Sequence, residues 1–443
     1  MLVSRRKRYL SGSDWVINTF DHLMKAATCA GNMSQVVLQF DSLLDEDEVR
    51  TKVSRFVEQF PVLQGSVGRD LKLAPYWRIP SKGRHEATFV VHRVDDRTSG
   101  MAAFLPLLEQ SANAAFRDDN DHLAFHLFIG HRQSMLAMTF DHRILDARGA
   151  ELFLDLFQKS LKSDAPTVSG DIAFSSSSAL TQWSKRFLAG RNVNRRIMTL
   201  SKTATPEALQ LPSNGKGSYR YHLLTFNEKE TAGIYERAYA EAGYLMESPY
   251  LLSVIVQSMR ELFKSRRMNG DSYLIPVTMD LRPGLDPLQE VFFNYVSYLF
   301  YQVPVPEIDD RKGLIALLKQ QMYDQVKSGF PKDLVEASLL TRIAPLPVLG
   351  KLLHLPMKGK MATFVFSHLG KSAYQHSSFM EKGIVNMFHM PRVPVPPGLG
   401  FFSNNYNNRL NLVISSLDGL LGDEDIRMLE EGIRDRFGVS KTS

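Results

Sequence analysis

The chain has 443 residues, 44% hydrophobic and 23% charged, enough for two or three packed domains of an ordinary soluble globular protein. Its 53 basic and 47 acidic residues are interspersed and leave a formal charge of +6, which suits an anionic ligand or an acidic partner but forms no basic stripe of the nucleic-acid-binding kind. The single cysteine, Cys29, excludes an internal disulfide framework and a thiolate metal site, and no window approaches the roughly 18–20 apolar residues of a membrane span.

Along the chain, MLVSRRKRYLSGSDW carries charge with no apolar stretch behind it, so no secretory signal is expected and a cytoplasmic location is. SQVVLQF (Ser34–Phe40) reads as a strand. DEDEVRTKVSRFVEQF then sets Val49, Val53, Phe56, Val57 and Phe60 on one helical face, with acids in the first turn and Pro61 as the stop. HLAFHLFIGHRQSMLAMTFDH predicts a hairpin turning at Gly130, followed by an amphipathic helix through Ala150, Phe153, Leu154, Phe157 and Leu161. From about Lys162 to Gly217 the texture turns rich in Ser, Gly and Pro, around a helical TQWSKRFLAGRN. This predicts a first lobe over residues 1–165, a connection over 166–217 and a second lobe over 218–443. The second lobe opens again with strand then helix (YRYHLLTFNEKETAGIYERAYAEAG). It continues with the apolar helix SPYLLSVIVQSMRELF, the strands SYLIPVTMDLRP, NYVSYLFYQVPV, ATFVFSHLG and RLNLVISSLDG, and the helix GDEDIRMLEEGIRDRF. Strands and helices mix irregularly, so the expected class is α/β, with large mixed sheets flanked by helices. IAPLPVLGKLLHLPMKGKM (Ile343–Met361), broken by prolines and lysines, reads as an apolar lid or a lipid-touching surface rather than a span.

The stretch that carries chemistry is MTFDHRILDARGAELF (Met138–Phe153), which delivers His142 at a strand end and Asp146 at a helix start. An imidazole held there can take a proton from an alcohol, amine or thiol and return it to a leaving group. An Asp before a helix is equally an N-cap beside an ordinary polar residue, and spacing alone does not separate the two readings. His122, His126 and His131 lack a carboxylate cluster to complete a metal site, and on strands His122 and His126 read as solvent-facing or hairpin residues. No P-loop, nucleophile elbow or dinucleotide fingerprint is present.

TFDHRILDARGAELFLDLF resembles the HHxxxDG/DHRxxDG motif of the CoA-dependent acyltransferase superfamily, which includes chloramphenicol acetyltransferase, plant BAHD enzymes, wax ester synthases and condensation domains. VVLQFDSLLDEDEVRTKVSRFVEQFPVLQGSV is similar to that family's opening strand and helix. SPYLLSVIVQSMREL resembles its long apolar helix, PVTMDLRP its "vDlR" strand, FFNYVSYL its "GNyvs" segment and FVFSHLG its "SNlG" strand, all in the family's order. Roughly 300 residues follow the motif, so the resemblance is to the monomeric kind, with two chloramphenicol-acetyltransferase-like lobes and an active-site tunnel between them.

The resemblance implies an acyltransferase in which His142 is the general base and Asp146 pairs with Arg282 to hold the motif turn. Asn294 and Ser367 would lie near the tunnel as oxyanion candidates, Lys216 and Arg220 would meet CoA phosphates, and Cys29 would have no role. No cofactor is held permanently; acyl-CoA, or the phosphopantetheine of an acyl carrier protein, is the donor substrate. The acceptor is a small molecule or lipid offering a hydroxyl or amine; no metal and no nucleic acid are implied, and any membrane contact is peripheral. Against the family pattern, Asp141 replaces the first His, Ala147 the Gly after Asp, Phe293 the Gly of GN and His368 the Asn of SNlG, and the plant "DFGWG" strand is absent. Two alternatives stay open: a free-standing condensation enzyme using carrier-bound acyl groups, and a scaffold protein that kept the fold without the chemistry.

Overall fold

The computed structural model describes residues 6–439 apart from 82–86, 98–99, 162–182, 204–205, 213–215, 285, 287, 343 and 355–361. In the first half, β1 (Arg6–Tyr9) leads into α1 (Gly12–Ala27), opened by a capping box in which Ser11 and Asp14 exchange hydrogen bonds of 3.1 and 2.9 Å. β2 (Met33–Phe40) is buried on both faces, which is why it reads as an apolar run rather than an alternation. α2 (Glu46–Val57), capped by Asp45, turns Val49, Val53 and Phe56 inward. β3 (Ser66–Arg69) and β4 (Pro75–Ile79) pair with each other, and β4 with β1. β5 (Thr88–Arg93), α3 (Leu105–Asn113) and the hairpin of β6 (Leu123–Ile129) and β7 (Ser134–Asp141) follow. The hairpin closes at the expected Gly130, whose N–H donates to the Gln133 carbonyl at 3.0 Å. α4 (Ala147–Ser160) starts after five residues that follow the end of β7, and α5 (Trp183–Thr203) ends this half.

The second half comprises β8 (Tyr219–Thr225), α6 (Glu228–Ala242), α7 (Glu247–Ser265), β9 (Ser272–Asp280), β10 (Val296–Pro304), α8 (Arg311–Lys327), α9 (Phe330–Thr341) and α10 (Leu346–His354). It finishes with β11 (Val365–Lys371), β12 (Ser378–Phe379), β13 (Lys382–Pro391), β14 (Leu399–Tyr406), β15 (Arg409–Leu417) and α11 (Asp423–Arg436).

Two six-stranded mixed sheets organise these elements, in the orders β12-β13-β2-β7-β6-β5 and β10-β9-β11-β14-β15-β8. The first holds a strand pair from the second half of the chain: β13 runs antiparallel to β2, with His389 opposite Val36 and Pro391 opposite Ser34. A division at residue 217/218 therefore does not separate two self-contained lobes, because residues 378–391 complete the first sheet. Within the expected connection, α5 is a long helix packed on α9.

The faces of the first sheet have different partners. One buries Val36, Leu38, Met138 and Phe140 with Phe56, Phe153 and Phe157 of α2 and α4. The other buries Val37, Phe128, Met135 and Ala137 in a core continuous with that of the second sheet. A ring cluster of Phe56, Phe60, Phe153 and Phe292, with centroids 5.0–5.8 Å apart, ties the segment before β10 to the first lobe. That segment crosses the motif turn, where Leu145 forms an isolated bridge with Phe293. The turn after β7 is thereby set against the segment that leads into β10 of the second sheet.

Candidate active site

The turn after β7 is held from both sides by carboxylates. Asp141 accepts hydrogen bonds from the ring of His122 at 2.8 Å, the Arg143 backbone N–H at 2.9 Å and the Arg143 guanidinium at 2.6 Å. Burial alone would raise the Asp141 pKa; the Arg143 charge and the His122 hydrogen bond hold it far below the usual carboxylate range. Asp146 is buried and caps α4 by accepting from Gly149 N–H at 2.8 Å. It also accepts from Tyr295 N–H at 3.1 Å and from the Arg282 guanidinium, and Arg282 is further bound to Asp280 at 3.0 Å. Burial would lower the Arg282 pKa, and these two carboxylates raise it instead. The expected Asp146–Arg282 pair is formed across the two halves of the chain, and Asp146 has both oxygens occupied.

Between the two carboxylates stands His142. Its Nδ1 lies 3.1 Å from Oδ1 of Asn294, whose Nδ2 donates to the carbonyls of His142 at 2.9 Å and Arg143 at 3.4 Å. Those two acceptors fix which end of the amide is oxygen, so Oδ1 must accept from Nδ1–H. The neutral ring therefore carries its lone pair on Nε2. Asn294 is in turn anchored by its backbone N–H on Asp14 at 3.0 Å. The amide hydrogens of Asn294 are thus committed to backbone carbonyls rather than offered as oxyanion donors; its part is to set the tautomer of His142.

His142 lines a cavity of about 130 Å³ between the sheets, together with Ser34, Thr278, Tyr298, Ser367, His368, His389, Ser403 and Asn404. Ser367 accepts from the Thr278 hydroxyl at 2.6 Å, which leaves its own proton to donate. A larger groove of about 500 Å³ runs past Arg143, the residue after His142, and is walled by Trp15, Asn18, Arg69 and Pro345–Pro347 of the apolar segment expected as a lid. Residues 355–361 of that segment lie outside the described residues. Lys216 is exposed, and Arg220 on β8 is paired with Glu109 at 3.1 Å and Asp418 at 3.2 Å; neither lines the cavity. Exposed Cys29 does not line it either.

A scan against family models and a search of curated proteins by sequence found no match. Comparison of structures did. The trichothecene 15-O-acetyltransferase TRI3 from Fusarium sporotrichioides aligns over 98% of this chain and 94% of its own, with TM-score 0.71 and 11% identity. The first condensation domain of the CDA synthetase aligns over 98% and 96%, with TM-score 0.70 and 12% identity. The epimerization domain TycB3(E) of tyrocidine synthetase B aligns over 98% and 97%, with TM-score 0.61 and 12% identity. This chain has their two-lobed fold.

Seen in that fold, the departures from the family motif have local explanations. Ala147 is the first residue of α4, where a Cβ is harmless; the glycine that geometry demands is Gly149, whose added Cβ would meet the Val291 carbonyl oxygen at 2.3 Å. Phe293 holds a φ of +74°, a conformation that suits glycine and strains a bulky residue. The Arg8 guanidinium stacks 3.5 Å from its ring centroid, and the ring is buried, so packing offsets the strain. His368, in the place of the family's Asn, hydrogen-bonds Ser403 Oγ at 2.8 Å, and burial, with the nearby Arg148 charge, pushes its pKa down to about 4.

The other histidines correct the expectation of solvent-facing residues. His122 is fully buried between Asp141 and the Gly65 carbonyl, and His126 is buried against His92 at 3.1 Å, with burial first and His92 second lowering it to about 4. Among the described residues no group of three metal-binding side chains gathers. Sequence reasoning missed Glu151 and His389. Glu151 sits beside Ala150, Phe153 and Leu154 on the buried face of α4, and an acid among such positions was the signal available.

Proposed function

We propose that the protein transfers an acyl group from a pantetheine thioester to a hydroxyl or amine acceptor, with His142 as general base and no acyl-enzyme. The observation that carries this reading is the locked His142 tautomer, with Nδ1–H spent on Asn294 and the Nε2 lone pair left for a substrate proton. The acceptor oxygen or nitrogen attacks the thioester carbonyl while its proton passes to Nε2. The tetrahedral oxyanion takes a hydrogen bond from the Ser367 hydroxyl. On collapse the C–S bond breaks, and the imidazolium returns the proton to the departing thiolate. Asp146 and Arg282 keep the turn in place and touch no reacting atom. The cavity and the groove beside Arg143 flank the motif turn, which suits donor and acceptor arriving by separate routes. The apolar wall around Pro345–Pro347 favours a lipid-like acyl chain or acceptor.

Thiol release tests this. Acyl-CoAs of increasing length are offered with alcohols and amines, to wild type and His142→Ala, with a chromogenic disulfide as reporter. Acceptor-dependent release lost in the variant supports the reading, and release unaffected by the variant sinks it. Silence with CoA donors but turnover with acyl carrier protein assigns the donor as carrier-bound. Silence with both favours a scaffold.

A further inference from the structure

A second imidazole lines the same cavity. His389 lies on β13, two strands along the first sheet from the end of β7, and its side chain is buried with 4% exposure. Its Nε2 faces Oε1 of Glu151 at 3.1 Å. Glu151 is itself fully buried and accepts from the Arg148 guanidinium at 2.6 Å and the Ala373 N–H at 2.8 Å. A carboxylate only accepts, so Nε2 carries the proton. Arg148 already supplies the cation that Glu151 needs, so the ring is not required to be charged. The remaining nitrogen, Nδ1, is buried without a hydrogen-bond partner among the described residues. An orphaned acceptor on a side chain that lines a cavity is costly unless a ligand answers it.

We infer that His389 Nδ1 accepts a hydrogen bond from a hydroxyl or secondary amide N–H of the substrate that is not the reacting group. This rests on the acyltransferase reading and deepens it. The substrate pair must carry a second neutral donor, on a diol-like or amino-alcohol acceptor, or on the amides of the pantetheine arm. Glu151 and Arg148 act through His389 by holding its tautomer and are positioning residues.

The test uses wild type and His389→Gln, in which the amide reaches Glu151 but offers no acceptor at the Nδ1 position. With octanoyl-CoA as donor, 1,2-octanediol and 1-octanol are compared as acceptors. The ratio of kcat/KM for diol over mono-alcohol is expected to fall roughly three- to tenfold in the variant, the worth of one neutral hydrogen bond. A rise of that size in the KM for octanoyl-CoA with either alcohol also supports the inference and assigns the donor to pantetheine. If neither the ratio nor that KM moves, it is overturned.

Nitrogen-15 spectra of histidine-labelled protein, with His389 assigned by the same variant, give a readout without turnover. The ligand-free protein should show a pyridine-type Nδ1 that shifts upfield on adding 1,2-octanediol or CoA. A protonated Nδ1, or one that moves with neither, overturns the inference. An upfield shift without any thiol release would instead count against the acyltransferase reading while leaving the His389 contact standing.

Discussion

The motif turn and the cavity wall opposite it are built from the same residue types, histidines, carboxylates and arginines, yet their polar atoms are treated differently. At the turn, Asp141 and Asp146 have every oxygen occupied, and Asn294 fastens His142 through two hydrogen bonds and the Arg143 carbonyl through a third. At the wall, one nitrogen of His389 is left bare and His368 is held neutral by burial. Full pairing makes the turn rigid, which general-base chemistry requires. Incomplete pairing leaves the wall a demand that only a ligand meets. On the proposed function, the difference separates the side that reacts from the side that recognises.

The sharpest way to break this comparison is at His142. In His142→Ala, turnover in the thiol-release assay is expected to fall about a hundred- to ten-thousandfold, the usual worth of a positioned general base, with the urea midpoint little changed. Asp146→Ala should do the reverse, acting first on stability. It leaves the buried Arg282 guanidinium to the half-exposed Asp280, and breaking a buried pair from one side costs up to about 3–5 kcal/mol. Urea unfolding measures this, and Asp146→Ala combined with Arg282→Met should recover part of the loss. A stable Asp146→Ala that lacks activity would mean that Asp146 takes part in the chemistry itself.

How much of this was legible depended on the signal each feature leaves locally. The hairpin, the helix after the motif and the long apolar α7 follow from periodicity and turn residues, whereas His142, Asp146 and Arg282 were pointed to by the family resemblance and not by spacing alone. KGIVNMFHMP is not among the strands expected in the second lobe, and nothing in it says which sheet it joins, so the completion of the first sheet by β13 was hidden. His126 was misplaced because β6 is buried on both faces, where alternation no longer marks an outside, and His122, just before β6, because its partners Asp141 and the Gly65 carbonyl are distant in sequence. The role of Asn294 depends on which way an amide faces, which no residue pattern encodes.

The neutral wall can be probed by pH. The His368 pKa is about 4 in the folded protein against about 6.5 unfolded, so between those values the unfolded chain binds the extra proton. Stability is therefore complete above about pH 6.5 and is lost as pH falls towards 4, by on the order of 3 kcal/mol from this residue. His126 adds a loss in the same window. In His368→Asn the urea midpoint should decline less steeply between pH 6.5 and 4.5; an unchanged slope would show that His368 is not held neutral. On the rigid side, Gly149→Ala drives a Cβ into the Val291 carbonyl and should cost about 1–3 kcal/mol, read as a lower urea midpoint.

The smallest expected effect is the most specific to the comparison. Asn294 touches no reacting atom and acts by making Nδ1 the protonated nitrogen of His142. Asn294→Ala removes that partner, so the ring divides between two tautomers, only one of which presents a lone pair on Nε2 to the acceptor. Turnover should drop roughly tenfold, about 1.4 kcal/mol, in kcat with KM nearly unchanged, because ground-state contacts to substrate are intact. A general loss of packing would lower kcat as well, so the deciding readout is the ring itself. In nitrogen-15 spectra, His142 of the wild type should show a pyrrole-type Nδ1 and a pyridine-type Nε2, and the variant should show both nitrogens averaged between these. If the variant keeps the wild-type pattern and still loses activity, Asn294 supports the turn without choosing the tautomer, and the rigidity of that side would rest on the two aspartates alone.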